Sequence, residues 1–230
     1  MCILCVRVRA MLCLLLAGAG LTGVAALSVA TPAIAAVLTV QVTDASGNPV
    51  EDAVVLLKPA QSGPAAPAGA VAPADPRVID QVGEQFAPLV TILPKGGEVT
   101  FRNSDVTRHH VYSFSPAKPF ELQVAPDETS VPLGFETEGV VALGCNIHDQ
   151  MVAWIFVAGE GTPVRTGKDG IATFADAPDG GYRVTVWHPR LRPGQGEPAL
   201  DVMLSGSDRQ ETVTLRLLPQ RRQDRERSAY

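Results

Sequence analysis

Apolar residues recur along this chain in short runs, many alternating with polar ones at the period of two that marks half-buried strands. Val37-Leu38-Thr39-Val40-Gln41-Val42 is the first, and Ala53-Val54-Val55-Leu56-Leu57 the second. Further strands are predicted at 78–82, 89–93, 98–102, 110–114, 139–143 and 152–157, then at 171–174, 182–187, 199–204 and 210–218. Gly- and Pro-rich turns separate them: Asp44 to Pro49, Pro94 to Gly97, Thr166 to Gly170 and Pro178 to Gly181. Regular short strands punctuated in this way predict an all-β sandwich or barrel.

Three segments break the pattern. Met11 to Ala30 is apolar and uncharged, follows Arg7 and Arg9, and precedes Ala33-Ile34-Ala35. That order of basic, apolar and small residues predicts an export signal over 1–35, removed at the small-residue end. An uncleaved anchor is the alternative, because Met11–Ala36 is long enough to span a bilayer. No later segment is apolar for long enough to cross a membrane, so no span is expected after cleavage. Residues 59–76, built mainly of Ala, Pro and Gly, predict a linker. Residues 219–230, with Arg221, Arg222, Arg225 and Arg227, predict a disordered basic tail.

Residues 36–58 supply about two strands, fewer than an independent sheet needs. Residues 159–218 supply the rest of a small set. The expected organisation is therefore a sandwich split between 36–58 and 159–218, with the stretch 77–158 inserted into it. The turn and strand motifs Val40 to Val50, Ala53 to Leu56, Lys168 to Phe174 and Pro178 to Val184 resemble carboxypeptidase-regulatory-like sandwich domains. That resemblance implies a fold and carries no activity.

Composition narrows the function. Taking Arg7 and Arg9 from 19 Lys+Arg, against 24 Asp+Glu, leaves a formal charge of about −7 on the mature chain. An acidic chain is a poor partner for nucleic acid, which needs a basic surface. Three of the four cysteines, Cys2, Cys5 and Cys13, lie in the leader. Cys145 then has no internal disulfide partner, although exported proteins commonly pair their cysteines.

Cys145 opens Cys145-Asn146-Ile147-His148-Asp149-Gln150-Met151. A thiolate, an imidazole and a thioether within seven residues are donor types of single-copper electron-transfer sites. A strand would deliver Cys145, and one tight loop would return His148 and Met151 to the same ion. A second imidazole is available in Asn103-Ser104-Asp105-Val106-Thr107-Arg108-His109-His110-Val111. Strand alternation leaves two choices there. His110 shares a face with Tyr112 and Phe114, while His109 shares one with Val111 and Ser113.

These motifs resemble the plastocyanin, azurin and amicyanin family of cupredoxins over roughly 77–158. Asn103 and His109 match the family's Asn and ligand His six residues later, and Val111 matches the Val that follows. His110 replaces the usual Asn. The Cys-x-x-His-x-x-Met spacing is similar to the amicyanin type. The resemblance implies a Greek-key sandwich and one copper ion cycling between Cu(I) and Cu(II). His109, Cys145, His148 and Met151 would be its ligands, with Asn103 and His110 as supporting residues or, for His110, the alternative ligand. It also implies a shallow apolar edge near His148 for transient docking.

The expectation is an exported, periplasmic, monomeric carrier of single electrons between a redox donor and an acceptor, with no catalytic residues. A copper-delivery module without redox turnover and a structural or adhesive sandwich are the rival functions. Zinc fits less well, since structural zinc takes four Cys or His ligands. His188 is expected at a strand end, and Met203, Trp154 and Trp187 in the core.

Overall fold

A computed structural model describes residues 36–60, 77–192 and 194–219. The expected export signal (1–35), most of the expected linker (59–76) and nearly all of the expected basic tail (219–230) lie outside the described residues. The elements are β1 (Ala36–Asp44), β2 (Val54–Pro59), β3 (Arg77–Gln81), β4 (Phe86–Ala87), β5 (Val90–Pro94), β6 (Gly97–Asn103), β7 (His109–Ser113) and β8 (Phe120–Val124). They continue with β9 (Leu133–Phe135), β10 (Gly139–Cys145), β11 (Val152–Ala158), β12 (Thr162–Arg165), β13 (Ile171–Ala177), β14 (Gly180–Trp187), β15 (Ala199–Leu204) and β16 (Arg209–Leu215). No helix occurs among the described residues, so none is long and apolar enough to cross a membrane. The fold is all-β.

Two sheets carry the middle of the chain, in the orders β5-β11-β10-β7-β8 and β4-β3-β6-β9. Their facing sides close on one apolar core that includes Ile79, Phe101, Val111, Phe135, Val141, Leu143 and Ile155. Two further sheets, β13-β1-β16 and β12-β2-β14-β15, mix strands from both ends of the chain. β1 pairs antiparallel with β13 and parallel with β16, and β2 lies between β12 and β14. These sheets enclose a separate core that includes Leu38, Val40, Val55, Leu57, Phe174, Val184 and Leu215.

β2 shows why the two sandwiches adhere. Its residues are apolar on both faces. Val55 and Leu57 point into one core, while Val54 and Leu56 pack with Val90, Phe156 and Ala158 on the outer face of β5 and β11. A strand buried on both sides should read as a continuous apolar run, and this one does. Trp187 completes the seam, its ring 5.7 Å from that of Phe156.

Close approach fixes the turn before β13. Gly170 has φ +71°, and a Cβ there would lie 2.6 Å from the carbonyl oxygen of Val42 and 2.9 Å from the amide nitrogen of Val50. Gly170→Ala is expected to cost more than about 2 kcal/mol, measured by urea unfolding. Left-handed strain and the backbone clash act together there.

Two core expectations are corrected. Met203 is 65% exposed, because alternation along β15 turns Leu200, Val202 and Leu204 toward the core and Met203 away from it. Trp154 is half-buried rather than core: it stands on the outer face of β11 beside a cleft. Trp187 is also half-buried, in the seam. His188 follows β14 directly, as expected. It is buried, with Nε2 donating to the carbonyl of Glu51 at 3.2 Å and Nδ1 accepting from Arg190 N–H at 3.0 Å.

Burial, aided by the charge of Arg190, pulls the imidazole of His188 down from 6.5 to about 4. Above pH 6.5 the native and unfolded chains both hold it neutral. Between pH 6.5 and about 4 only the unfolded chain takes up the proton, so stability falls as pH falls. The expected loss across that window is about 2–3 kcal/mol. Urea unfolding at a series of pH values measures it, and His188→Gln should flatten the slope.

Candidate metal centre

The two middle sheets bring three donor side chains to one end of their core. β7 begins at His109, and β10, antiparallel beside it, ends at Cys145, which pairs with Val111. The chain then turns through 146–151 before β11. Asn146 N–H donates to the His110 carbonyl at 3.1 Å, and Met151 N–H donates back to the His148 carbonyl at 2.9 Å. The loop is thereby tied to β7 at one end and folded on itself at the other. Donor atoms of His109, Cys145 and His148 all lie within 4.8 Å of one another. Met151 is fully buried and packs in the same apolar core as Cys145.

Alternation along β7 separates the two neighbouring histidines. His109, Val111 and Ser113 are buried, whereas Phe114, beyond the strand, is 82% exposed. The aromatic face is therefore the outer one. It can be outer because Gly144 of β10 leaves room for the Tyr112 ring: a Cβ on Gly144 would sit 2.7 Å from the Tyr112 hydroxyl. His110 points outward with that face. Its Nε2 is 2.6 Å from Glu121 Oε1 and its Nδ1 2.8 Å from Asn146 Nδ2. It thus ties β7 to β8 and to the loop, on the opposite side of the strand from Cys145.

His109 is oriented by a residue that the sequence motifs did not single out. Its Nε2 is 2.8 Å from Asp105 Oδ2. A carboxylate only accepts, so the proton sits on Nε2 and the lone pair of Nδ1 faces Cys145 Sγ at 3.7 Å. Burial pushes the Asp105 carboxyl up, but the N–H groups of Glu84 and Gly83 and the His109 imidazole outweigh it. The net effect holds the group below the usual carboxylate range. A signal for Asp105 was present, since a carboxylate four residues before a ligand imidazole can reach its far nitrogen.

Asn103 holds the loop that carries Asp105. Its buried side-chain amide donates to the Thr107 and Val124 carbonyls, both at 2.9 Å, and its Oδ1 accepts Asp105 N–H at 3.0 Å. All the polar capacity of this side chain is spent on fixing the segment between β6 and β7.

His148 differs from His109 in its partners. Its Nε2 lies 3.5 Å from Glu84 Oε1, and Gln150 Nε2 donates to Glu84 Oε2 at 3.1 Å. Its Nδ1 is buried without a hydrogen-bond partner among the described residues. Buried polar atoms are rarely left so, and an orphan needs a reason. Next to His148 in the chain, Ile147 is 50% exposed, and Glu84 places a carboxylate oxygen 3.5 Å from the His148 ring nitrogen.

These observations test whether copper fits. Nitrogen and sulfur donors at about 2.0 and 2.3 Å from one ion, set 3.7 Å apart as here, subtend about 119°, near the trigonal value. The orphaned Nδ1 of His148 supplies a second nitrogen, and Met151 a soft thioether in the same core. The donor types match those of a His₂Cys set with a soft thioether in the same core. Among the described residues three Cys or His donors converge, one fewer than structural zinc uses.

No protein-family model and no curated protein sequence matches this chain. Solved structures similar to it include a copper-containing nitrite reductase from Thermus scotoductus SA-01 (28% identity, TM-score 0.35), which aligns over 42% of this chain and 27% of that one. The chain thus spans about a quarter of that reductase. A purple cupredoxin from Nitrosopumilus maritimus aligns over 36% of this chain and 99% of its own, at 23% identity and TM-score 0.32. Amicyanin from Paracoccus versutus aligns over 44% of this chain and 97% of its own, at 19% identity and TM-score 0.34.

Proposed function

We propose that this chain is an exported copper protein that carries single electrons between redox partners. One copper ion would be held by His109, Cys145, His148 and Met151. The observation that carries this reading is the convergence of His109, Cys145 and His148, whose donor atoms lie within 4.8 Å of one another, with the Nδ1 of His148 buried and without a hydrogen-bond partner. A copper ion bound there would supply a one-electron Cu(II)/Cu(I) couple.

The protein's own residues set the terms of that couple. Asp105 fixes the tautomer and ring plane of His109, so its donor nitrogen is aimed before any metal arrives. Asn103 and the Asn146–His110 contact hold the two ligand-bearing segments against β7. Donors held in advance move little between oxidation states. Cys145 and Met151 are at 3% and 0% exposure, which excludes water from the sulfur side. His148 is the most exposed of the four donors and adjoins the exposed Ile147, so a partner would dock there and exchange electrons through its imidazole.

The protein would transform no substrate of its own, because four protein donors leave no open position. Export rests on the leader motif at 1–35.

Voltammetry of the protein loaded with one equivalent of copper tests the carrier role. A reversible one-electron wave, unchanged over repeated cycles, is expected. Tight Cu(I) binding with no reversible wave would mean a delivery module instead.

A further inference from the structure

The hairpin that joins β3 to β4 turns beside the metal centre, and its tip runs against local preference. β3 and β4 pair antiparallel through Gln81 and Phe86. Val82 N–H donates to the Gln85 carbonyl at 3.0 Å, and Gln85 N–H returns to the Val82 carbonyl at 3.3 Å, so Gly83 and Glu84 form the two-residue tip. Both have positive φ, +61° and +57°. Hairpin turns with positive φ at both tip positions favour Asn, Asp or Gly there. Gly83 meets that demand. Glu84 holds a long side chain in left-handed backbone, a strain that Gly would avoid, so the turn itself gives no reason for a glutamate.

The carboxylate supplies one. Its Oε1 lies 3.5 Å from His148 Nε2, and its Oε2 accepts from Gln150 Nε2 at 3.1 Å. It therefore rests on the loop that carries the most exposed donor. The backbone behind it is anchored as well. Asp105 accepts the Gly83 and Glu84 N–H groups at 2.6 and 3.0 Å while it holds His109 Nε2. The rings of His109 and His148 have their centroids 5.3 Å apart. Each imidazole thus has a carboxylate at its Nε2, and the hairpin tip connects the two carboxylates.

We propose that Glu84 is a positioning residue for His148: its carboxylate keeps the imidazole proton on Nε2 and leaves the lone pair of Nδ1 for the ion. A carboxylate only accepts, so a neutral ring beside it is stabilised by turning an N–H toward it. The other nitrogen is then bare, which accounts for a buried Nδ1 with no hydrogen-bond partner among the described residues. Partners on the far nitrogen orient metal-bound imidazoles in this way. The effect on a metal rests on the copper reading, whereas the tautomer belongs to the metal-free chain. With copper bound, a negative charge beside a ligand imidazole favours Cu(II) over Cu(I). The Glu84 side chain is 54% exposed, so solvent weakens that preference without abolishing it.

Nitrogen-15 spectra of the metal-free chain, taken about two units above the ordinary imidazole pKa, read the tautomer directly. The parent chain should carry the His148 proton on Nε2. Glu84→Gly relieves the left-handed strain, so it should resist urea at least as well as the parent, yet mix the two tautomers. Asp149→Asn removes the same charge from an exposed neighbour of His148 and should leave the tautomer unchanged. In the copper-loaded chain, Glu84→Gln should lower the ratio of Cu(II) to Cu(I) affinity about fivefold, which is a rise in potential of about 40 mV at 59 mV per tenfold for one electron. Asp149→Asn should shift it less than half as far. A His148 proton on Nδ1 in the parent, or a tautomer undisturbed in Glu84→Gly, would overturn the proposal whatever copper does. The expected tautomers in a chain without a reversible copper couple would support it and contradict the carrier role.

Discussion

Replacing Cys145 with serine is expected to weaken copper binding by more than about 100-fold, beyond the loss typical of a supporting residue. Cys145 is 3% exposed and its sulfur lies 3.7 Å from His109 Nδ1. Serine nearly preserves the shape but replaces a soft, polarisable sulfur with a hard hydroxyl that stays protonated. The same change tests the blander reading, a buried structural thiol. On that reading serine costs only the burial of a hydroxyl, about 1–3 kcal/mol of stability, and copper affinity is unaffected. Competition with a copper chelator, run beside urea unfolding of the metal-free chain, separates the two outcomes.

Asp105→Ala is expected to lower copper affinity about 10–100-fold without removing any donor. The carboxylate acts through its grip on His109 Nε2 at 2.8 Å and on the Gly83 and Glu84 amides at 2.6 and 3.0 Å. Without it the imidazole is free to rotate and to place its proton on Nδ1, the nitrogen that faces Cys145. The loop 82–85 also loses its anchor, and with it the position of Glu84 beside His148. A purely structural role would lower stability and leave the affinity of the folded chain unchanged. Chelator competition at a temperature well below the unfolding transition distinguishes them.

Much of the architecture was legible in the sequence because β-sandwich strands carry their own period. β1, β6, β10, β11 and β14 fall where the apolar runs and turns place them. Four strands lie outside the expected set. β4 has two residues, β9 has three, and β12 contains Pro163, so none offers a run long enough to show periodicity. β8 does alternate, but as an edge strand it buries only Val124 fully, and Pro119 and Pro126 enclose it. Met203 was misleading for another reason: hydrophobicity marks a residue able to be buried, and the face of the strand on which it falls decides whether it is.

The site divides along the same line. Cys145, His148 and Met151 were legible because one short loop carries all three. His109 and His110 were not separable by spacing alone. The choice between them depends on which face of β7 meets the core, and Gly144 allows the aromatic face to be the outer one. Asp105 lies only four residues before His109, whereas Glu84 reaches the site from a loop distant in sequence and set by left-handed backbone, with φ +57°. Contacts of that kind arise from tertiary packing, which a linear pattern does not encode.

The most direct measurement is an absorption titration of the purified chain with Cu(II). The account predicts an intense visible sulfur-to-copper band that grows linearly and stops at one equivalent. A protein that takes up one equivalent and stays colourless would contradict it.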